Sequence, residues 1–220
     1  MADRWATFDC YGTLIDWNGG VRAVLRQLWP DEDVERLLRR HHAIEPLVQE
    51  GRKLTYREVG ARTLRGIASV EALSLAREDE YALADSLPTW PPFAEVPDAL
   101  STLRAAGWRL AILSNTDPDL LAASIDQIGV PIDVCITVRE AGSYKPAHGH
   151  WQRFFDDTAA DRRLHVHVAA SAFHDLSACA ELALRAVWIN RLGEQTDLPH
   201  AAELPDCAAL PETLNRLVGG

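Results

Sequence analysis

The chain has 220 residues, 47% hydrophobic and 25% charged, a balance that suits one large globular domain or a core with a smaller insert. Lys and Arg number 22 against 32 Asp and Glu, a net charge of −10, so no basic surplus exists to displace counterions from a nucleic acid. No apolar run reaches the roughly 18 residues of a membrane span. Met1 leads almost directly into a strand-like stretch, which leaves no room for a signal peptide. Cys10, Cys135, Cys179 and Cys207 lie far apart without a CxxC pair and read as reduced thiols of a cytoplasmic protein.

In chain order, Trp5–Phe8 is the first short apolar run and reads as a buried strand. Residues 15–92 carry no strand pattern. Val21–Leu28, Val34–Ile44 and Tyr56–Ala68 have helical spacing, and the Ala- and Leu-rich Val70–Ala84 continues it. Glu45-Pro46 reads as the break that ends the second helix. Gly19-Gly20 fits a hinge or a plain turn, and the proline-rich Leu87–Phe93 an interdomain hinge. From residue 93 on, strands at Arg109–Leu113, Val134–Val138, Val166–Ala169 and Ala186–Ile189 alternate with helices at Asp98–Ala106, Asp119–Ile128, His150–Thr158 and Leu176–Leu184. Gly107 and Gly129 stand where helix ends favour glycine. Leu210–Leu217 closes the chain as a helix. The alternation predicts an α/β fold with a parallel sheet and right-handed crossovers, interrupted by a helical insert.

Ligands of open parallel sheets bind beyond the carboxyl ends of the strands. There the chain places Asp9 before Tyr11-Gly12-Thr13, then Ser114-Asn115, then Tyr144-Lys145-Pro146, then Ser171 with Asp175. A desolvated, well-aligned carboxylate can act as a covalent nucleophile. Lys145 can keep Asp9 ionised beside Asp175, and Thr13, Ser114 and Asn115 can hydrogen-bond an anion. A site lysine of this kind predicts that Lys145→Ala loses turnover with little change in melting. His148-x-His150 and His165-x-His167 lack the third ligand a zinc site needs, so no metal is expected there.

These motifs resemble those of the haloacid dehalogenase superfamily: FDCYGTLIDW (Phe8–Trp17), LSNTD (Leu113–Asp117), YKP (Tyr144–Pro146), and HDLSACAELAL with VWINR (His174–Leu184, Val187–Arg191). The DxYGT, FAEVPDAL and WINR segments are similar to the L-2-haloacid dehalogenases. The resemblance implies a Rossmann-like parallel sheet core (1–14 and 93–220), an inserted helical cap (15–92), and a homodimer. It implies that Asp9 attacks C2 of a short 2-haloacid, that Lys145 steadies it, and that Asp175 helps activate water. Tyr11, Thr13, Ser114, Asn115, Ser171 and His174 would face substrate or halide. Trp151 would replace a family tyrosine as an aromatic wall, and Trp17 would line the pocket. Arg39, with Arg40 beside it, would be the cap arginine that holds the halide. The superfamily's phosphatases place carboxylates where Tyr11 and Ser171 stand here, so neither metal nor cofactor is expected. A phosphatase of the same fold, or a member without activity, remains the alternative.

Overall fold

The computed structural model describes residues 3–50 and 54–219, so residues 1, 2, 51–53 and 220 of the expected domain ranges lie outside the described residues. Six parallel strands form one sheet: β1 (Arg4–Phe8), β2 (Trp108–Leu113), β3 (Val134–Ile136), β4 (His165–Ala169), β5 (Ala186–Ile189) and β6 (Ala202–Leu204), in the order β3-β2-β1-β4-β5-β6. The α/β expectation holds. β1 lies between β2 and β4, with Phe8 opposite Ile112 on one side and Val168 on the other. Strands buried on both faces explain the unbroken apolar runs of the sequence. β1 therefore delivers Asp9 at the middle of the carboxyl edge.

Helices α5 (Val96–Ala105), α6 (Pro118–Ile128), α7 (Val138–Ala141), α8 (Gly149–Thr158), α9 (Ser177–Glu181) and α10 (Leu210–Val218) accompany the sheet. β3 is two residues shorter than expected, because Thr137 and Glu140 form a capping box that starts α7. The sixth strand was not among the expected ones. It is a three-residue, part-exposed edge strand with no apolar run to announce it. Instead of one helix over Leu176–Leu184, a π-type turn at Ala172–Leu176 leads into the short α9.

Between β1 and β2 come α1 (Trp17–Leu28), α2 (Val34–Gln49), α3 (Tyr56–Glu71) and α4 (Ala82–Ser86). Two expectations change here. α2 does not stop at Ile44 but runs through Pro46 to Gln49. Proline removes one N–H and one ladder bond, and the helix resumes with the Glu50 N–H on the Pro46 carbonyl (3.1 Å). Nor does α3 continue over Val70–Ala84. It ends at Ala72 in the left-handed region (φ 55°), and the Leu73 N–H turns back to the Ala68 carbonyl (2.8 Å).

The two chain passages that join this helical block to the sheet lie side by side. The Asp16 N–H bonds the Pro91 carbonyl (3.0 Å), and the Phe93 N–H bonds the Leu14 carbonyl (2.9 Å). Trp90 is buried among them, and Gly20 packs against its indole. Gly19 and Gly20 thus belong to the first turn of α1, capped by Asp16, and are chosen for close approach. A methyl group at Gly20 would run into the Trp90 ring, so Gly20→Ala should lower stability by about 1–3 kcal/mol through overpacking. At Gly60, inside α3, an added Cβ meets Leu83 at an ordinary 3.5 Å. Gly60→Ala should therefore be neutral or raise stability by up to about 1 kcal/mol. Thermal melts of the two variants check the contrast.

Candidate active site

The loop after β1 folds back tightly. The Leu14 and Ile15 N–H groups both reach the Cys10 carbonyl, and Gly12 takes φ +86°, which an L side chain rarely adopts. This turn brings Thr13 onto Asp9. The Thr13 hydroxyl donates to Asp9 Oδ2 (2.8 Å) and accepts the Ala170 N–H from beyond β4 (2.9 Å). The other Asp9 oxygen accepts from Lys145 Nζ (2.8 Å). Asp9 is 8% exposed, enough to open onto a cavity while most of its hydration is lost.

Lys145 is 2% exposed and spends all three ammonium protons on Asp9 Oδ1, Asp175 Oδ1 (2.7 Å) and the Leu113 carbonyl (3.0 Å). Burial alone would depress its pKa. The carboxylates of Asp175 and Asp9 outweigh that and hold it above the ordinary lysine range. Asn115 clamps the Lys145 backbone from both sides: its Oδ1 accepts the Lys145 N–H (2.7 Å) and its Nδ2 donates to the Lys145 carbonyl (3.2 Å). Asn115 therefore positions the ammonium as well as lining the cavity.

Asp175 sits in the π-type turn, a geometry frequent at functional sites. Ser171 caps that turn by accepting the His174 N–H (3.0 Å). Asp175 is fully buried. Burial pushes its pKa up, but the Lys145 ammonium and a hydrogen bond from His167 dominate, and the carboxyl is held well below the usual range. Its Oδ2 has no hydrogen-bond partner among the described residues.

The His165-x-His167 pair, set aside as a metal site, has another role. Asp175 can only accept, so His167 Nε2 is the donor to it (2.9 Å). His167 Nδ1 then accepts from the Thr7 hydroxyl (2.8 Å), and Thr7 accepts from His165 Nε2 (2.9 Å). Burial pushes the His165 pKa down to about 3, consistent with a neutral ring. The inward face of two adjacent strands thus fixes the orientation of Asp175. Alternation within β4 puts both histidines on one side, which sequence could show. Their partner on β1, Thr7, it could not.

The cavity, about 280 Å³, is lined among others by Asp9, Tyr11, Ser114, Asn115, Lys145, Ser171, His174 and Asp175. Those expected site residues come together. Trp17 lines it too, as expected. Thr13 lies behind Asp9. Trp151 is a correction: it is fully buried and packs edge-on against the His167 ring (5.3 Å), so it supports the relay and forms no cavity wall. Arg39 is a second correction. It is exposed on α2 and does not line the cavity, and Arg40 turns to Glu71 (2.6 Å). Leu37, Leu38 and His41 are the buried positions of that stretch, so the two arginines fall on the outer face.

The helical block contributes residues that sequence reasoning missed: His42, Glu45 and Gln49 of α2, and Tyr56 at the start of α3. The three on α2 follow the i, i+3, i+7 spacing of one helix face. Reading Pro46 as a terminator hid Glu45 and Gln49. Trp17 Nε1 donates to the Tyr56 hydroxyl (3.2 Å), which donates to Glu45 Oε1 (3.1 Å). Burial raises the Glu45 pKa to about 7, tempered by the Tyr56 hydrogen bond.

Comparison with known proteins places this geometry among relatives. Residues 4–159 match the model of the haloacid dehalogenase-like hydrolases. An (S)-2-haloacid dehalogenase of Pseudomonas sp. (strain YL) is 26% identical over 203 residues, covering 84% of this chain and 82% of that one. Haloacetate dehalogenase H-2 of Moraxella sp. (strain B) is 28% identical over 192 residues, covering 84% and 85%. Among solved structures, the L-2-haloacid dehalogenase from Xanthobacter autotrophicus with chloropropionic acid covalently bound superposes with TM-score 0.84 at 20% identity, over 99% of each chain. At that identity the likeness is one of fold.

The buried ion network changes one expectation. Removing Lys145 leaves two desolvated carboxylates facing each other, so Lys145→Ala should lower stability by about 3–5 kcal/mol as well as abolish turnover. The sign with pH follows from which form is penalised. The deficit should be full at neutral pH, where Asp175 is charged, and should shrink as acid protonates Asp175, which the variant no longer holds in its charged form. Urea melts of both proteins at pH 7.5 and pH 4.5 measure it. An unchanged midpoint at both pH values would contradict the assigned role.

Proposed function

The chain belongs to the haloacid dehalogenase-like hydrolases, and from that premise we propose that it cleaves the carbon–halogen bond of short 2-haloacids, without a metal ion, through an ester formed on Asp9. One observation carries this reading. Asp9 opens onto the cavity with one oxygen held by Lys145 and the other by Thr13, so its charge is preserved and its direction set before substrate arrives.

The steps follow from the placement of charge. A carboxylate oxygen of Asp9 attacks the carbon that bears the halogen, and the halide leaves on the far side. Ester formation removes the charge on Asp9, while Lys145 stays paired with Asp175. Water then attacks the acyl carbon of Asp9 as Asp175, held beside Lys145, takes up its proton; the acyl C–O bond breaks, and that proton passes to the departing oxygen of the hydroxy acid. The relay through His167 and Thr7 keeps Asp175 from rotating during this step.

Metal independence rests on the donor set. A hard divalent cation favours several carboxylate oxygens. Tyr11 and Ser171 offer hydroxyls instead, and these are engaged with Ser124 (2.9 Å) and His174. Asp175 Oδ1 already serves Lys145 and His167. The names of the relatives at 26% and 28% identity support the substrate class. A cytoplasmic location accords with the four unpaired cysteines, and assembly as a homodimer belongs to the same family reading.

The test is halide release from chloro-, bromo- and fluoroacetate and both 2-chloropropionate enantiomers, with and without EDTA. Release from at least one haloacid, unchanged by exhaustive chelation and absent in Asp9→Asn, is the expected outcome. Activity that vanishes with EDTA and returns with Mg²⁺ would contradict it.

A further inference from the structure

Glu45 is an acid that the helical block contributes to the wall of the nucleophile's cavity. Asp9 belongs to the sheet edge, and Glu45 to α2 of the helical block, and both line the same cavity. In a displacement the leaving atom departs opposite the attacking oxygen. An attack from Asp9 therefore sends the leaving atom away from the sheet edge, into the cavity whose wall the helical block completes with His42, Glu45, Gln49 and Tyr56.

The hydrogen bonds around Glu45 have a fixed direction. An indole N–H can only donate, so Trp17 supplies the proton in its contact with the Tyr56 hydroxyl. The Tyr56 proton is then free to go to Glu45 Oε1. Oε1 is thereby occupied as an acceptor, and a proton on Glu45 resides on Oε2. Oε2 has no hydrogen-bond partner among the described residues. Burial raises the pKa to about 7, so the protonated form is well populated at neutral pH.

A halide departs without needing a proton. An oxygen leaving from carbon does need one, and a carboxylate displaces it only from a strained ring. Resting on the aspartyl-ester reading above, we propose that Glu45 is a general acid and that the site also hydrolyses small strained cyclic ethers that carry a carboxylate. An oxygen of Asp9 forms a bond to a ring carbon, and the ring C–O bond breaks with its electron pair on oxygen. That oxygen takes the proton from Glu45 Oε2. Water then cleaves the ester at the Asp9 acyl carbon, and the proton it releases restores Glu45. The net change is addition of one water to the ring.

Glu45→Gln separates the two chemistries. Glutamine keeps a carbonyl for Tyr56 and presents an NH₂ where Oε2 stood. It can still hydrogen-bond a departing halide, but it cannot give up a proton. The experiment measures bromide release from bromoacetate, and glycerate formation from oxirane-2-carboxylate (glycidate), for the wild type and Glu45→Gln. The wild type should turn over both. Glu45→Gln should lower the ratio of ring opening to bromide release by about 100-fold or more, the scale of general acid catalysis. A thermal melt of each protein checks folding. A wild type that releases bromide but leaves glycidate unopened would overturn the proposal, as would a variant that opens the ring at the wild-type rate. Failure with both substrates would instead remove the aspartyl-ester reading, and this proposal with it.

Discussion

The ammonium of Lys145 holds the site together. Two carboxylates, Asp9 and Asp175, lie at the ends of β1 and the turn after β4, and one buried cation reaches both at 2.8 and 2.7 Å. Without it, desolvation and mutual repulsion would force one acid to take up a proton. With it, the Asp175 carboxyl is held well below its usual range although it is fully buried. Much of the surrounding structure serves this one contact. Asn115 clamps the Lys145 backbone, Leu113 takes the third ammonium proton, and Thr13 turns the far oxygen of Asp9.

The supports of Asp175 show how a parallel sheet can orient a side chain from beneath. His165, Thr7 and His167 form a chain whose proton directions follow from an ionised Asp175 when both imidazole rings are neutral. Each buried partner is satisfied by the next until His165 Nδ1, which has none among the described residues. Trp151 and Phe154 pack their rings against these histidines. The arrangement confines water and charge to the carboxyl edge of the sheet.

The sheet and its edge residues were legible because the relevant patterns are local. Short, unbroken apolar runs marked the strands, and the polar residues just after them marked Asp9, Ser114, Asn115 and Asp175. Lys145 was legible from its motif more than from a strand end, since β3 stops at Ile136 and α7 intervenes. The helical side of the cavity was not legible for a physical reason. Pro46 reads as a stop, yet α2 tolerates the loss of one bond and carries Glu45 and Gln49 onto the cavity face. Arg39 was expected from the family resemblance alone, and it lies on the outer, solvent-facing side of α2. Trp151 stood at the expected distance along the chain, but only the packing of α8 decides that its ring goes under the sheet edge and not into the cavity.

The central claim is that Asp9 becomes covalently bound to substrate, and the path of oxygen tests it most directly. With enzyme in excess over bromoacetate in ¹⁸O-water, a single turnover should yield unlabelled glycolate, because the new hydroxyl oxygen comes from the Asp9 carboxylate. The label should appear in the peptide that contains Asp9. Label in the glycolate of that first turnover, with none in the peptide, would mean that water attacks carbon directly and would contradict the account.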